Sequence, residues 1–278
     1  MPFDSAASYQ HPPIAESSVT TGRLVSKQIT GTSATDAAPD TSTRSKITQA
    51  PLQGVVVVLL SKLRPAYWNW GWQRIAFGSW WPNTTPGLRF MKTLGSGKEG
   101  GFGLTPSLSH QGMFCVFDSE AEAKNFIEAS TLIARYRERS EELFIATLRP
   151  ASARGSWDGM TLVEGESLPA NAMLATLTRA SIRPLAAAQF WRHAPAAQDS
   201  LADAPGCLLA AGLGEAPVLR QATFSLWQST AAMDAYARTG AHRDAISAAW
   251  KHQFFSESMF VRFQPLSLQG QWKGQSFD

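Results

Sequence analysis

The sequence has only two cysteines, Cys115 and Cys207, in 278 residues. Two thiols build neither a disulfide scaffold nor a cysteine-based zinc site. Both stand in apolar runs, so buried, unreactive thiols in a reducing compartment are expected. Charge of one sign is also scarce in excess. Lys plus Arg is 25 and Asp plus Glu is 22, a net of +3. The pI near 9.0 thus reflects a small surplus and not a basic stripe. Binding nucleic acid by phosphate neutralisation needs clustered cations, so nucleic acid is excluded as the main partner. No run of about 18 apolar residues occurs, so no membrane-spanning helix is expected. The N-terminus lacks the basic, apolar, small-residue succession of a secretory signal. The patterns HExxH, CxxC, GxSxG and GxxxxGK[ST] are absent. Converging zinc ligands at standard spacing and the local context of a nucleophilic Ser or Cys are missing as well.

What is present is material for a packed core: 44% hydrophobic and 17% charged residues, enough for one or two domains. Residues 1–50 stand apart. They are polar, small and aperiodic, and read as a disordered or extended N-terminal arm that is dispensable for folding. Folded structure begins near Pro51, and Val55-Val-Val-Val-Leu-Leu60 reads as a buried strand. The rest of the chain repeats itself. Gln111–Ser119 lies over Gln221–Ser229 at an offset of 110, and Pro150–Gly159 lies over Pro265–Gly274 at an offset of 115. Val55–Leu60 matches Met173–Thr178 more loosely, and Arg89–Gly97 matches Leu208–Gly214. Each copy reads strand, helix, strand, strand, helix, strand. Ser119 and Ser229 stand where helix N-caps do. This is the ferredoxin-like βαββαβ unit. Two halves, 51–165 and 166–278, are expected to form a pseudo-symmetric α+β barrel with a cavity between its sheets. Two ferredoxin-like domains side by side, sharing no cavity, would fit the same pattern.

The histidines are His11, His110, His193, His242 and His252. The step in offset places five extra residues between the last helix and last strand of the second copy, and His242 and His252 lie there. Gly240 ends the helix begun at Ser229, and a second helical stretch runs from Ala241 to Trp250. On it His242, Ala245, Ile246 and Ala249 share one face at i, i+3, i+4, i+7. That face either receives a flat, bulky ligand or carries a histidine bonded to a backbone carbonyl. His252 falls roughly 80° off it. Gly95–Gly103 is glycine-rich and reads as a tight connection with an adaptable lid, or as a weak phosphate cradle. Trp68, Trp70, Trp72, Trp80 and Trp81 form a core or interface cluster, or a stacking surface. Arg262 alternates with Val261 and Phe263. If those two face the helices, Arg262 faces the space between the sheets; otherwise it is an ordinary ion-paired residue.

Several segments together resemble the spheroidene monooxygenase family. They are Leu177-Thr-Arg-Ala-Ser-Ile-Arg183 with Phe190-Trp191, Gly212-Leu-Gly-Glu-Ala-Pro217, Gln221–Trp227, His242-Arg-Asp-Ala-Ile246, Phe255–Phe263, Phe90–Gly97 and Gly155-Ser-Trp-Asp-Gly159. The resemblance runs from about Val55 to Gly274. It implies an oxygenase that introduces oxygen at C2 of acyclic carotenoids, using haem, O2 and an electron donor such as ferredoxin. The haem iron would be the metal. By inference His242 would be its axial ligand, with Ala245, Ile246, Ala249 and Phe255 around the cofactor. Arg262 and Lys92 would lie near the distal side or the propionates, and the Trp-rich region at the substrate mouth. The expected setting is the cytoplasm or the membrane surface, where an apolar, lipid-like substrate is met; oligomerisation is left open. Two rival readings keep the scaffold: a haem enzyme of dehydratase or peroxidase-like chemistry, and a non-catalytic carrier of haem or an apolar ligand.

Overall fold

The computed structural model describes residues 50–78, 84–103, 105–216, 218–238 and 253–277, and of 193–199 the backbone only. Residues 1–49 of the expected arm lie outside the described residues, as does the expected helical stretch from Ala241 to Trp250. The elements are β1 (Val55–Leu63), α1 (Trp68–Phe77), β2 (Leu88–Gly97), β3 (Pro106–Phe117), α2 (Glu120–Ala129), α3 (Thr131–Arg139) and β4 (Ser140–Gly155). There follow β5 (Leu174–Ile182), α4 (Ala187–Ala202), β6 (Cys207–Ala216), β7 (Arg220–Trp227), α5 (Thr230–Ala237), β8 (Phe255–Trp272) and the short β9 (Gln275–Phe277). The ferredoxin-like order therefore occurs twice, as the repeat predicts. Strands neighbour one another as β4-β1-β3-β2-β6-β7-β5-β8, with β8 also paired to β4 and β9 added beside β8. Eight antiparallel strands thus close an α+β barrel.

The continuous apolar run of β1 follows from burial on both faces. Val56, Val58 and Leu60 point into the barrel. Val55, Val57, Leu59 and Leu63 point outward beneath the helices, against Phe126, Ile127, Ile133 and Tyr136. The expected caps are in place: Ser119 Oγ accepts from the Glu122 N–H at 3.3 Å, and Ser229 Oγ from the Ala232 N–H at 3.1 Å. The helix expected over 119–138 is two helices. Ser130, extended at φ −75° and ψ 138°, ends α2 and caps α3 through a 3.1 Å bond from the Ile133 N–H.

The register corrects the repeat by one residue. Leu59 stands opposite Met113, and Thr178 opposite Thr223. Met113 and Thr223 are 110 apart, so Leu59 corresponds to Thr178, 119 apart, where the match of Val55–Leu60 with Met173–Thr178 gave 118. A strand that is apolar at every position carries no period-two signal to fix its register. The expected cavity is also corrected. The barrel interior is filled by Phe114, Phe144, Trp157, Phe224, Phe263 and the aliphatic residues between them. The sheets meet by pairing their edges, which brings both inner faces to packing distance.

Two seams join the halves. β4 and β8 pair from Phe144 opposite Gly270 to Gly155 opposite Met259. β2 and β6 meet only at Gly95–Gly214 and Ser96–Leu213, helped by Ser96 Oγ donating to the Gly212 carbonyl at 2.5 Å. Gly155 and Gly270, 115 apart, mark the two ends of the long seam. Both have positive φ, +78° and +93°, and a Cβ on either would stand 2.0 Å from a carbonyl oxygen of the facing strand. Gly270→Ala is therefore expected to lower unfolding stability by at least about 2 kcal/mol, measured by urea denaturation. An unchanged midpoint would refute this seam register.

Candidate active site

The pseudo-twofold allows the outer faces of the two halves to be compared position by position. In the first half that face carries Val57, Leu59, Met113 and Cys115, sealed by α2 and α3. The corresponding positions in the second half are Thr176, Thr178, Thr223 and Ser225. Thr147 is replaced by Arg262, and Thr93 by Gly212. Thr176 and Ser225 are buried and share a 2.8 Å hydrogen bond between hydroxyls, and Ser225 also accepts from Trp227 Nε1 at 3.0 Å. Thr178 is exposed and Thr223 half-buried. Beside them lies a small apolar cluster of Leu174, Leu201, Ala210, Trp227 and Met233. One outer face is thus a sealed core, and the other a floor of hydroxyls and small side chains edged by a cation.

Arg262 lies at the edge of that floor. Val261 and Phe263 point into the barrel, so Arg262 points outward, toward the helices, and of the two alternatives the ion-paired residue is the one found. Both faces of β8 are partly apolar, and alternation alone does not tell inside from outside. Its guanidinium bonds Asp234 on α5 at 2.7 Å. Lys92 is not brought to Arg262. It lies with Phe90 and Leu94 on the inner side of β2, pairs with Asp158, and sits 5.5 Å from the Phe90 ring. Phe255 begins β8 and packs edge-on against Phe190, with 5.7 Å between centroids. His242, Ala245, Ile246, Ala249 and His252 lie outside the described residues; α5 leads into their segment.

The glycine-rich segment lies against β6 as a covering strap. Gly212 has no Cβ, and one there would stand 2.3 Å from the Gly101 carbonyl oxygen. The strap places Phe102 against the apolar cluster of the second half. His110 is buried at the barrel end near Trp272, its Nδ1 3.0 Å from both the Ser107 and Ser109 hydroxyls. Burial, then the charges of Lys62 and Lys273, push its pKa down. Burial raises the pKa of both thiols, that of Cys207 to about 11.

A charge network at the other barrel end went unread in the sequence. Arg179 is 1% exposed. It meets Glu257 at 2.5 Å, Glu215 at 3.4 Å and Asp158 at 3.6 Å. Glu215 also accepts from Trp157 Nε1 and pairs with Arg220 at 3.2 Å. Arg179 stands where the first half has Leu60, and Glu215 where it has Ser96. Arg179, Glu215, Glu257 and Asp158 all fall in the segments that carry the family resemblance, which is the signal that points to them. The cleft beside them has essentially no room for a water-sized group, against the roughly 300–1,000 Å³ of a small-molecule pocket. The network therefore reads as a clasp between the halves.

A closed antiparallel barrel of two ferredoxin-like halves places the chain in the α+β-barrel class. Sequence comparison gives the reaction: the chain is a monooxygenase and belongs to the spheroidene monooxygenase family. It is 56% identical over 223 residues to the spheroidene monooxygenase of Rubrivivax gelatinosus, covering 80% of this chain and 86% of that one. With the spheroidene monooxygenase of Rhodobacter capsulatus it shares 34% identity over 197 residues, 69% of this chain and 82% of that one. No protein-family model matches. Among solved structures, aldoxime dehydratase (OxdRE) in complex with butyraldoxime shares the fold. The TM-score is 0.50 at 11% identity, over 76% of this chain and 79% of that one.

The clasp sets an acid limit on stability. Burial opposes ionisation of Glu257, but hydrogen bonds from the Gly159 N–H, the Ser156 hydroxyl, the Asp158 N–H and Arg179 outweigh it and hold its pKa below 4.5. A depressed carboxylate pKa contributes stability that is complete above the unfolded value and is lost as pH falls through the folded one. Glu257→Gln is expected to flatten the loss of melting temperature below pH 4.5. Arg179→Met, which leaves its carboxylates without their buried cation, should cost about 3 kcal/mol at neutral pH, read by denaturant titration. Wild-type stability in Arg179→Met would dismiss the clasp.

Proposed function

We propose that this monooxygenase is haem-dependent and oxidises an apolar, acyclic carotenoid-like substrate, using O2 and a separate electron donor such as a ferredoxin. The observation that carries the reading is the hydroxyl floor of the second half, at positions where the first half is sealed by apolar side chains. Its residues fit haem by their chemistry. The Arg262 guanidinium suits a propionate carboxylate. The uncharged hydroxyls of Thr176, Thr178 and Thr223 add no competing charge. Ala210 and Ser225 are themselves too small to fill the layer above the sheet. His242, on the segment that follows α5, would hold the haem iron through a neutral imidazole, and Ala245, Ile246, Ala249 and Phe255 would line the cofactor.

Bound haem would supply oxygen activation. The protein's part is to orient and to shield. Asp234 fixes Arg262 by a charge-assisted bond, so that its cation is set before a ligand arrives. The Gly101–Phe102 strap and the apolar cluster around Trp227 keep water from the end of the floor at Ala210 and Ser225. Insertion of one oxygen atom leaves the other to be reduced to water, which is why a donor is required. Lys92, on the other side of the sheet wall, is left out of this site.

Kinship with spheroidene monooxygenases supports a carotenoid substrate, since spheroidene is one. The test is the absorption spectrum of the protein reconstituted with haem. His242→Ala is expected to lose or strongly shift the Soret band, with partial return on adding imidazole, while His252→Ala leaves it in place. Arg262→Met should weaken haem affinity about tenfold without moving the band. No Soret band in the wild type, or an unchanged spectrum in both histidine variants, would overturn the assignment.

A further inference from the structure

From Thr41 to Lys98 the sequence contains no Asp or Glu. This acid-free stretch contains α1, whose ten residues include three tryptophans and one arginine. Two of those tryptophans are anchored. Trp68 Nε1 donates to the Leu63 carbonyl at 3.2 Å, and Trp70 packs edge-on against Tyr136 at 4.9 Å. Trp72 and Phe77 instead turn outward, 39% and 58% exposed. Gln73 and Ala76 complete that face, which carries no charge. Cations edge it. Arg64, exposed, immediately precedes the turn into the helix, and Arg139 lies over the rings of Tyr67 and Trp70 at 5.2 and 4.7 Å. α3, held beside α1 by the Trp70–Tyr136 contact, presents Arg135, Arg137 and Arg139 against one acid, Glu138. Glu141, next along the chain, is occupied by Lys62 at 2.9 Å.

We infer that the exposed face of α1 docks the protein on an anionic lipid surface. Aromatic side chains favour the boundary between acyl chains and headgroups, where an apolar ring meets a wet edge. Arginines at the rim find lipid phosphates, and the absence of carboxylates removes the repulsion that would oppose approach. A second copy fits less well. Two projecting aromatics on a ten-residue helix fall far short of the roughly 1,200–2,000 Å² that a stable protein interface buries. Among the described residues no helix is long and apolar enough to cross a membrane, so the attachment is peripheral. The inference rests on the proposed function only in naming the purpose, which is access to an apolar substrate dissolved in the bilayer.

The test is co-sedimentation of the full chain with vesicles of phosphatidylcholine alone and of phosphatidylcholine with phosphatidylglycerol. Binding is expected to the second kind and to fall as salt is raised. The double variant Trp72→Ser, Phe77→Ser should bind at least about tenfold more weakly, through loss of two inserted side chains. Arg64→Glu should also weaken binding, while Leu108→Ser, an exposed apolar residue on β3, should leave it unchanged. Circular dichroism and the melting temperature establish that each variant is folded. Absence of vesicle binding, or equal binding by the double variant, overturns the inference. So does concentration-dependent dimerisation without lipid that the double variant abolishes, which would give the face to a second copy. Vesicle binding is read without haem, so its failure and a missing Soret band are separate results.

Discussion

β4 and β8 are the longest strands, and their pairing with each other decides what the remaining chain can be. Each ferredoxin-like half ends on one of them. Because the pairing is antiparallel and runs along most of both strands, the halves must face one another across a shared interior. That interior then takes every second residue of eight strands and becomes the main core. The alternate residues are forced outward, beneath helices. A strand such as β1 is therefore apolar on both sides, and the outer faces become the places where the halves are free to differ. The glycines at 155 and 270 are a direct requirement of this pairing, since each sits where a facing carbonyl excludes any side chain.

Duplication gives two outer faces and two barrel ends, and the chain uses them unequally. The first outer face is sealed by α2 and α3. The second exchanges valine, leucine, methionine and cysteine for threonine and serine, and gains Arg262. At the ends, Glu142 and Glu257 occupy matching positions, and each accepts hydrogen bonds from the backbone of a tight hairpin turn, at Lys273–Gly274 and Asp158–Gly159. Only Glu257 also meets a buried arginine. Where that end has Glu215 accepting from Trp157, the opposite end has Ser96 turned to a backbone carbonyl, and Trp272 Nε1 is left without a partner. Chemistry and cross-linking are thus both concentrated in positions where one copy departs from the other.

Much of the architecture is legible in the sequence because it is written twice. The matching segments around Gln111 and Gln221, and around Trp157 and Trp272, fix the order of elements, and Ser119 and Ser229 mark helix starts by side-chain chemistry. The register of β1 against β5 is not legible, since the run Val55–Leu60, apolar at every position, looks the same after a one-residue slip. That slip hides Arg179, whose counterpart is then taken to be outside the barrel. The direction of Arg262 is lost for a similar reason: inside and outside are both partly apolar, so alternation separates two faces without naming them. The clasp brings together residues from four separate segments, and no local spacing announces such a meeting. Ser225 and Thr176 read as ordinary strand residues until the first half supplies the comparison that makes them unusual.

The two seams differ greatly in length, one running along most of β4 and β8, the other two residue pairs between β2 and β6. Mechanically, such a cylinder is a clamshell with a strong spine and a small latch. Breathing motions that part the wall concentrate at the latch, where few backbone bonds resist them. The strap bearing Phe102 crosses β6 beside it and rides on whichever edge moves. The face that carries the hydroxyl floor begins at β6. Its shape is therefore coupled to the weakest join in the barrel, while the spine, on the far side, holds the two halves in register throughout.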